Sequence, residues 1–339
     1  MTRARDIADQ QDNLGGAVAP FVAGKNAVIN GGFDIWQRGT SFAVPQNYST
    51  YTADRFVSYR GGLNAGATIS RQLTNDTTNL PNIQYCLRYQ RDSGNTATGD
   101  LALLNGCETA NSIQFAGKVV SFSFYARAGA NYSATSNLLQ LRVDSGTGTD
   151  QSIGTGYTGQ ATLISASATL TTTWQRFTFT GTVPATAKEI GWYVFESPTG
   201  TAGANDYYEI TGVQLEIGNV ATPFARAGGS IGGEFALCQR YYQRLGALYG
   251  YAFAPDSIQG TVSGAPMRAM PTATMVTSTP YAESPINVTA RTGVNSSTAG
   301  SGNVNEYGTQ FIRVNGFSGL TAGTVSLITS NQIALSAEL

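Results

Sequence analysis

The segment Lys118-Val119-Val120-Ser121-Phe122-Ser123-Phe124-Tyr125-Ala126-Arg127 alternates without a break. Val120, Phe122, Phe124 and Ala126 fall on one side, and Ser121, Ser123, Tyr125 and Arg127 on the other. A period of two with one polar side is a half-buried antiparallel strand. The pattern returns at 174–180, with Phe177 and Phe179 inward, at 188–195, and at 207–217, where Val213, Leu215 and Ile217 share a face. Further strands are expected at 54–60, 67–73, 83–91, 100–105, 137–144 and 161–170. With no helix-period segment between them, the expected architecture is all-β: a two-sheet sandwich, most simply a jelly roll, over residues 26–228.

One helix is expected after Gly228-Gly229. Leu237, Tyr241, Tyr242 and Leu245 recur at helical spacing and Gly246 is a natural stop, so residues 229–246 read as a connecting helix. Strands at 247–254, 258–263, 272–278, 286–291, 307–314 and 323–329 then build a smaller C-terminal β domain, 247–339. At the other end, Ala4, Ile7, Gln11, Leu14 and Val18 give a short coiled-coil seam that Gly15-Gly16 interrupts. Residues 1–25 are therefore expected to be a short helix and linker, marginal alone and in need of partner chains or a docking surface.

Composition removes several function classes. Twenty basic and 21 acidic residues leave a net charge of −1, so no field exists to attract a nucleic-acid backbone. The chain has no histidine, which excludes Ser-His and Cys-His nucleophile pairs and every histidine zinc site. Charged residues are 12% of the chain, where roughly 25% is usual, and Thr, Ser and Gly take their place on solvent faces. Apolar residues at 41% and aromatics at 10% argue against disorder. The N-terminus has two arginines but no apolar run behind them, and no stretch suits a membrane span. Cys86, Cys107 and Cys238 are odd in number and widely spaced, so buried free thiols and assembly in a reducing cytoplasm are expected.

Three segments carry a resemblance. The first is Asn26-Ala27-Val28-Ile29-Asn30-Gly31-Gly32-Phe33-Asp34-Ile35-Trp36-Gln37-Arg38-Gly39-Thr40-Ser41-Phe42, followed by Tyr51-Thr52-Ala53-Asp54-Arg55-Phe56. The second is Gly212-Val213-Gln214-Leu215-Glu216-Ile217-Gly218-Asn219-Val220-Ala221-Thr222-Pro223-Phe224, running into Ala236-Leu237-Cys238-Gln239-Arg240-Tyr241-Tyr242. The third is Pro266-Met267-Arg268-Ala269-Met270-Pro271-Thr272. In this order and spacing they resemble tailed-bacteriophage fibre and appendage proteins built on a carbohydrate-binding-module-like jelly roll. The resemblance implies a virion structural protein, usually homotrimeric, in a tail fibre, head fibre or decoration protein. It supplies no motif-defined sugar site.

Candidate sites follow from the residues. Trp36 adjoins Phe33 and Ile35, and Trp192 shares a face with Ile190 and Val194, so both read as core. Trp174 falls with Arg176, Thr178 and Thr180, opposite Phe177 and Phe179; it is either exposed or a plug at the sandwich edge. Tyr207 and Tyr208, beside Asp206, are a second exposed-aromatic candidate or an edge strand. Trp174, Arg176, Tyr207 and Tyr208 are thus the candidate glycan contacts, because a shallow sugar site needs an aromatic plane beside hydrogen-bonding groups. Asp34, Asp54, Arg38 and Arg55 read as ion pairs or turn caps. Asp54 and Arg55 point apart in a strand, and Glu209 and Glu216, seven apart, fall on opposite faces, so no glycosidase acid pair emerges. The oxygen-rich 144–150 turn lacks EF-hand spacing, and no phosphate loop or nucleophile elbow is present. No metal or cofactor is expected.

The expectation is a non-enzymatic virion protein: a homotrimeric tail fibre attached to another virion protein through its N-terminal segment and recognising host-surface glycans. Neither nucleic acid nor membrane insertion is expected. The alternatives are a capsid decoration or head-fibre protein without ligand and, less favoured, a glycan-degrading enzyme.

Overall fold

The computed structural model describes residues 23–44, 49–61, 66–245, 248–254, 257–269, 271–275, 282–283, 298–300, 309–315, 325–328 and 333–339. The expected N-terminal helical seam lies outside the described residues, as does the strand expected at 286–291. The chain divides into two compact units, one ending at Phe235 and joined by Leu339, the other running Ala236–Glu338.

The first unit is a sandwich of two six-stranded antiparallel sheets. Its strands are β1 (Ser41–Ala43), β2 (Thr50–Tyr51), β3 (Val57–Arg60), β4 (Ala67–Leu73), β5 (Tyr85–Arg91) and β6 (Leu101–Cys107), then β7 (Val119–Ala128), β8 (Leu138–Gly146), β9 (Ala161–Thr169), β10 (Gln175–Thr182), β11 (Glu189–Glu196) and β12 (Tyr207–Ile217). Sheet I has the order β1-β4-β5-β12-β7-β10 and sheet II the order β2-β3-β6-β11-β8-β9. Consecutive strands repeatedly cross from one sheet to the other, as in a jelly roll. A single helical turn, α1 (Thr109–Ser112), interrupts the β6–β7 connection.

Alternation decides which side chains meet between the sheets. Val120, Phe122, Phe124 and Ala126 of β7 face Ile190, Trp192 and Val194 of β11, all fully or almost fully buried. The Trp192 ring lies 5.2 Å from Phe122 and 5.6 Å from Phe56. Phe177 and Phe179, on the edge strand β10, reach Phe124 and stay half-buried. Trp36 is buried before β1, its indole N–H donating to the Phe33 carbonyl at 2.8 Å.

The first two motif segments clasp one another. Asn26 donates to the carbonyls of Val213 (2.9 Å) and Ala225 (3.0 Å), and its Oδ1 accepts from the Val28 and Leu215 amides. Gln214 Oε1 accepts the Ala225 amide, and Asp34 makes a two-point ion pair with Arg226 at 2.8 and 3.2 Å. These residues tie the chain entering the sandwich to the chain leaving it.

Two expectations change. Helix α2 spans Ile231–Gln239 and stops there, because Tyr242–Arg244 forms β13, paired with Ser336, Leu335 and Ala334. The second error concerns β12. Between Thr211 and Gln214 one residue is extra, a bulge with Gly212 at φ +59°. Tyr208 and Ile210 before it, and Val213 and Leu215 after it, all face the core. Glu209 and Glu216 therefore share the outer face, where uninterrupted alternation would separate them.

The second unit contains β13 (Tyr242–Arg244), β14 (Leu248–Ala254), β15 (Ser257–Ser263), β16 (Thr272–Met275), β17 (Ala282–Glu283), β18 (Thr298–Gly300), β19 (Thr309–Asn315), β20 (Val325–Ile328) and β21 (Ile333–Ser336). They form a three-stranded sheet, β13-β21-β16, and a six-stranded sheet, β17-β20-β14-β15-β19-β18, both antiparallel.

Candidate functional site

The four candidate contacts lie on or beside sheet I, whose outer face is covered around β5, β12 and β7. Trp174 is 5% exposed and packs with Leu80, Ile83, Cys86 and Phe224. Its N–H donates to the Thr74 carbonyl at 3.3 Å and the Arg127 guanidinium lies 4.9 Å from its ring, so it is the edge plug and offers no plane to a ligand. Arg176 donates to Ser123 Oγ and to the Thr222 carbonyl and stacks near Tyr125. Tyr208 is 0% exposed, because its parity on β12 points it between the sheets against Tyr89. Tyr207 is half-buried beneath the Arg88 guanidinium, 4.0 Å from its ring. The structure does not bring these four together as an open site.

The carboxylates on that face are equally committed. Glu209, fully buried, is held by Arg88 at 2.7 Å and Arg127 at 2.5 Å. Glu216 accepts from Gln214, from the Thr222 amide and from the Thr222 hydroxyl. The Gly212 bulge aligns the two carboxylates, but each is fully occupied by structural partners. Asp54 accepts from the Gln37 amide at 2.9 Å, and Arg55 donates to the Gly106 carbonyl at 2.7 Å from a turn before β3, not from a strand.

The open surface is the outer face of sheet II. Register across β3, β6, β11 and β8 sets out its floor. Tyr59, Ala102, Phe195 and Gln140 form one row, and Val57, Leu104, Tyr193 and Arg142 the next. A third row is Gly106, Gly191 and Asp144. Tyr59 is 38% exposed, and Tyr193 and Phe195 are half-buried with ring centroids 5.7 Å apart. A cleft of about 460 Å³ lies over these residues.

Polar groups stand at both ends of the floor. At one end Asp144 accepts from Arg142 Nε at 2.8 Å and from Gln160 Nε2 at 2.7 Å. The bond to Asp144 holds the Arg142 guanidinium above its ordinary value, and the same guanidinium lies 5.9 Å from the Tyr193 ring. Burial pushes the Tyr193 phenol up, which keeps its hydroxyl a neutral donor. At the other end Ser197 donates to Asp100 at 2.6 Å, and Gln140 donates to Ser197 at 3.2 Å. Along β6 the distance from Asp100 to the Gly106 row is about 20 Å at ~3.3 Å per residue.

A wall closes the Asp144 end. The segment 147–160 folds back over the sheet, and its Tyr157 lies across Gly106, Gly146 and Gly191; a side chain at Gly146 or Gly191 would collide with it, and one at Gly106 would press on its hydroxyl. Ile153, Gly154, Gly156 and Gln160 of this segment line the cleft. Gln151 donates its amide to the buried Glu189, which fastens the segment to the start of β11.

Tyr59, Tyr193 and Phe195 are absent from the sequence candidates, although the signal was present. The alternation that sends Ile190, Trp192 and Val194 inward sends Tyr193 and Phe195 outward. The wall had no comparable signal, because its place depends on three glycines from three strands. Among the described residues no cluster of three or more His, Cys, Asp or Glu suited to a metal occurs, and no helix is long and apolar enough to cross a membrane.

No known family model matches the sequence, and no curated protein matches it. Among solved structures, one described as "CBM4 structure and function" is 19% identical with a TM-score of 0.34, over 56% of this chain and 100% of that one. TmCBM61 in complex with beta-1,4-galactotriose is 14% identical with a TM-score of 0.33, over 57% and 99% of the two chains. The enzymatically active domain of bacteriophage CBA120 tailspike protein 4 is 12% identical with a TM-score of 0.36, over 57% of this chain but 21% of that one. Likeness at this level adds nothing to the topology already described.

Proposed function

We propose that the protein binds glycan chains on the outer face of sheet II and that it does so without cleaving them. The observation that carries this reading is the open aromatic floor of Tyr59, Tyr193 and Phe195 between two polar ends, Asp144 with Arg142 and Gln160, and Asp100 with Ser197 and Gln140. Sugar rings have apolar faces that pack on aromatic planes and rims of hydroxyls that exchange hydrogen bonds with such groups. A floor about 20 Å long suits several sugar units in a row, not one.

We further propose that this binding serves a bacteriophage. The three motif segments support a virion structural protein, a homotrimeric tail fibre at the particle surface. Residues 1–25 would engage another virion protein, and three copies of a weak site would gain affinity for a host surface by avidity. Assembly would take place in the host cytoplasm.

The test is a glycan array probed with the full chain, followed by titration of the best oligosaccharide. Tyr193→Ala and Phe195→Ala should each weaken binding about tenfold or more, equivalent to about 1.4 kcal/mol, with an unchanged melting curve. Arg176→Ala, on the covered face, should leave binding intact. Unchanged affinity in both aromatic variants would remove the site. Release of reducing ends would make the protein an enzyme, and a monomeric mass in solution and on the particle would remove the fibre reading.

A further inference from the structure

We infer that the end of the sandwich beneath Tyr59 and Phe195 is a proton-holding site, in which Glu196 is carried as the neutral acid and whose ionisation loosens the contact between the sheets. This holds whether or not the cleft above it binds glycans.

The placement follows from register. Arg60, Leu101 and Glu196 lie side by side on β3, β6 and β11, on the inner face of sheet II. Arg60 follows Tyr59 and Glu196 follows Phe195, so the buried pair lies directly under the cleft floor. Sheet I sets Tyr89 and Arg91 of β5 and Tyr208 of β12 against this end of the interior, and the loops add Tyr132 and Asp206. Glu196 and Tyr208 are both 0% exposed.

Several donors surround Glu196, and the Tyr208 hydroxyl and Arg91 Nε among them are without a partner, but none is placed to bond its carboxyl. Neither of its oxygens has a hydrogen-bond partner among the described residues. Arg91 donates to Asp206 at 2.7 Å, to Ser133, and to the carbonyls of Asn95, Ala97 and Gly200. The Tyr132 hydroxyl donates to the Leu138 carbonyl at 3.1 Å, and that of Tyr89 to the Tyr59 carbonyl at 3.1 Å. Asp206, paired with Arg91 at 2.7 Å, disfavours a second negative charge beside it. Arg60 is the one cation here without a hydrogen bond, and Leu101 stands between it and Glu196, two strand spacings or about 10 Å away at the backbone. A carboxylate in this place would be a buried, unpaired charge, so the group keeps its proton. Burial accordingly raises the Glu196 carboxyl well above the usual carboxylate range, with Asp206 adding to the effect.

The pH dependence has a definite sign. In the unfolded chain Glu196 titrates near the ordinary value of about 4.3, and in the folded chain it titrates higher. The contribution of the neutral acid is fully present below the unfolded value and is lost as pH rises through the folded one. Ionisation sends the proton to solvent and leaves a negative charge between the sheets, among Tyr208, Tyr132 and Leu101. The cheapest relief is separation of the sheets at this end.

The experiment is infrared spectroscopy of the full chain in heavy water at neutral pH, with thermal melts from pH 6 to 10. The wild type should show a protonated-carboxyl band that Glu196→Gln lacks, and its Tm should fall with pH more steeply than that of the variant. Absence of the band at neutral pH, or identical pH slopes, would overturn the inference and show that Glu196 is ionised in the folded chain. Glu234 is the other buried carboxyl raised by burial. A Glu234→Gln protein must therefore keep the band, which also assigns it should Glu196→Gln fail to fold; loss of the band in Glu234→Gln would overturn the inference.

Discussion

Gly191→Ala tests the construction of the cleft through its wall. Gly191 sits on β11 between Gly106 and Asp144 and faces outward. Its φ is not in the left-handed region, so a larger residue meets no backbone objection. The obstacle is space. A methyl group there would press on the Tyr157 hydroxyl and come within 2.8 Å of Ile153 Cδ1 and 3.0 Å of Ile153 Cβ. Tyr157 is 7% exposed, and its ring is confined over Gly146 as well. Relief requires the 147–160 segment to lift. Overpacking of this kind costs about 1–3 kcal/mol, which at roughly 2–4 °C per kcal/mol for a unit of this size is a readable fall in Tm. The assay is urea unfolding of the wild type, Gly191→Ala, Tyr157→Ala and the double variant. Removing the ring should relieve much of the methyl's cost, giving a coupling of about 0.5 kcal/mol or more. A Gly191→Ala protein within about 0.5 kcal/mol of the wild type, or strictly additive variants, would refute the account of how the wall is seated.

Two further outcomes concern the interior. Asp206→Asn should destabilise by about 3–5 kcal/mol in the same urea assay, because it leaves the fully buried Arg91 guanidinium without its counter-ion at 2.7 Å; a loss under 1 kcal/mol would show that the carbonyls alone suffice. Cys86, Cys107 and Cys238 are buried and form no disulfide, and burial raises the Cys86 thiol strongly and the Cys107 thiol to about 11. Iodoacetamide at pH 8 should leave the native chain unlabelled and modify three thiols after denaturation in guanidinium, and rapid native labelling would contradict the burial.

The sandwich was legible because each of its long strands buries one face only. Alternation placed β7 at 118–127 and β11 at 188–195, within one residue of Val119–Ala128 and Glu189–Glu196. It fails where one residue disturbs the count. Gly212 adds a residue to β12, and everything beyond it changes face relative to a simple reading, which is why Glu209 and Glu216 were set apart. It fails also where tertiary pairing overrides local periodicity. Tyr241 and Tyr242 fit a helical stripe, yet Tyr242–Arg244 pairs with 334–336, nearly a hundred residues later. The burial of the candidate contacts has a similar cause. Alternation separates the two sides of a strand but does not say which outer face the loops will cover. Trp174 was rightly set on the outer side of sheet I, and what buries it is Leu80, Ile83 and Phe224 from segments distant in sequence.

That asymmetry between the outer faces is itself informative. On sheet I the outer side chains are Arg88, Glu209, Arg127, Gln214 and Glu216, and their hydrogen-bonding groups are satisfied by each other and by the strap carrying Thr222 and Pro223. Carboxylates that water could have solvated are covered, with the arginines that hold them left partly exposed. On sheet II the opposite holds: Val57, Tyr59, Tyr193 and Phe195 are what a covering loop would profitably bury, and the 147–160 segment seats its Tyr157 on glycines at the end of the sheet and stops. Burying an aromatic ring is worth about 1.5–3 kcal/mol, so an aromatic floor left open forgoes stability that the fold could have gained. A fold that encloses charges and leaves rings open has kept those rings available to something from outside, which is the strongest physical reason to look for the ligand on sheet II.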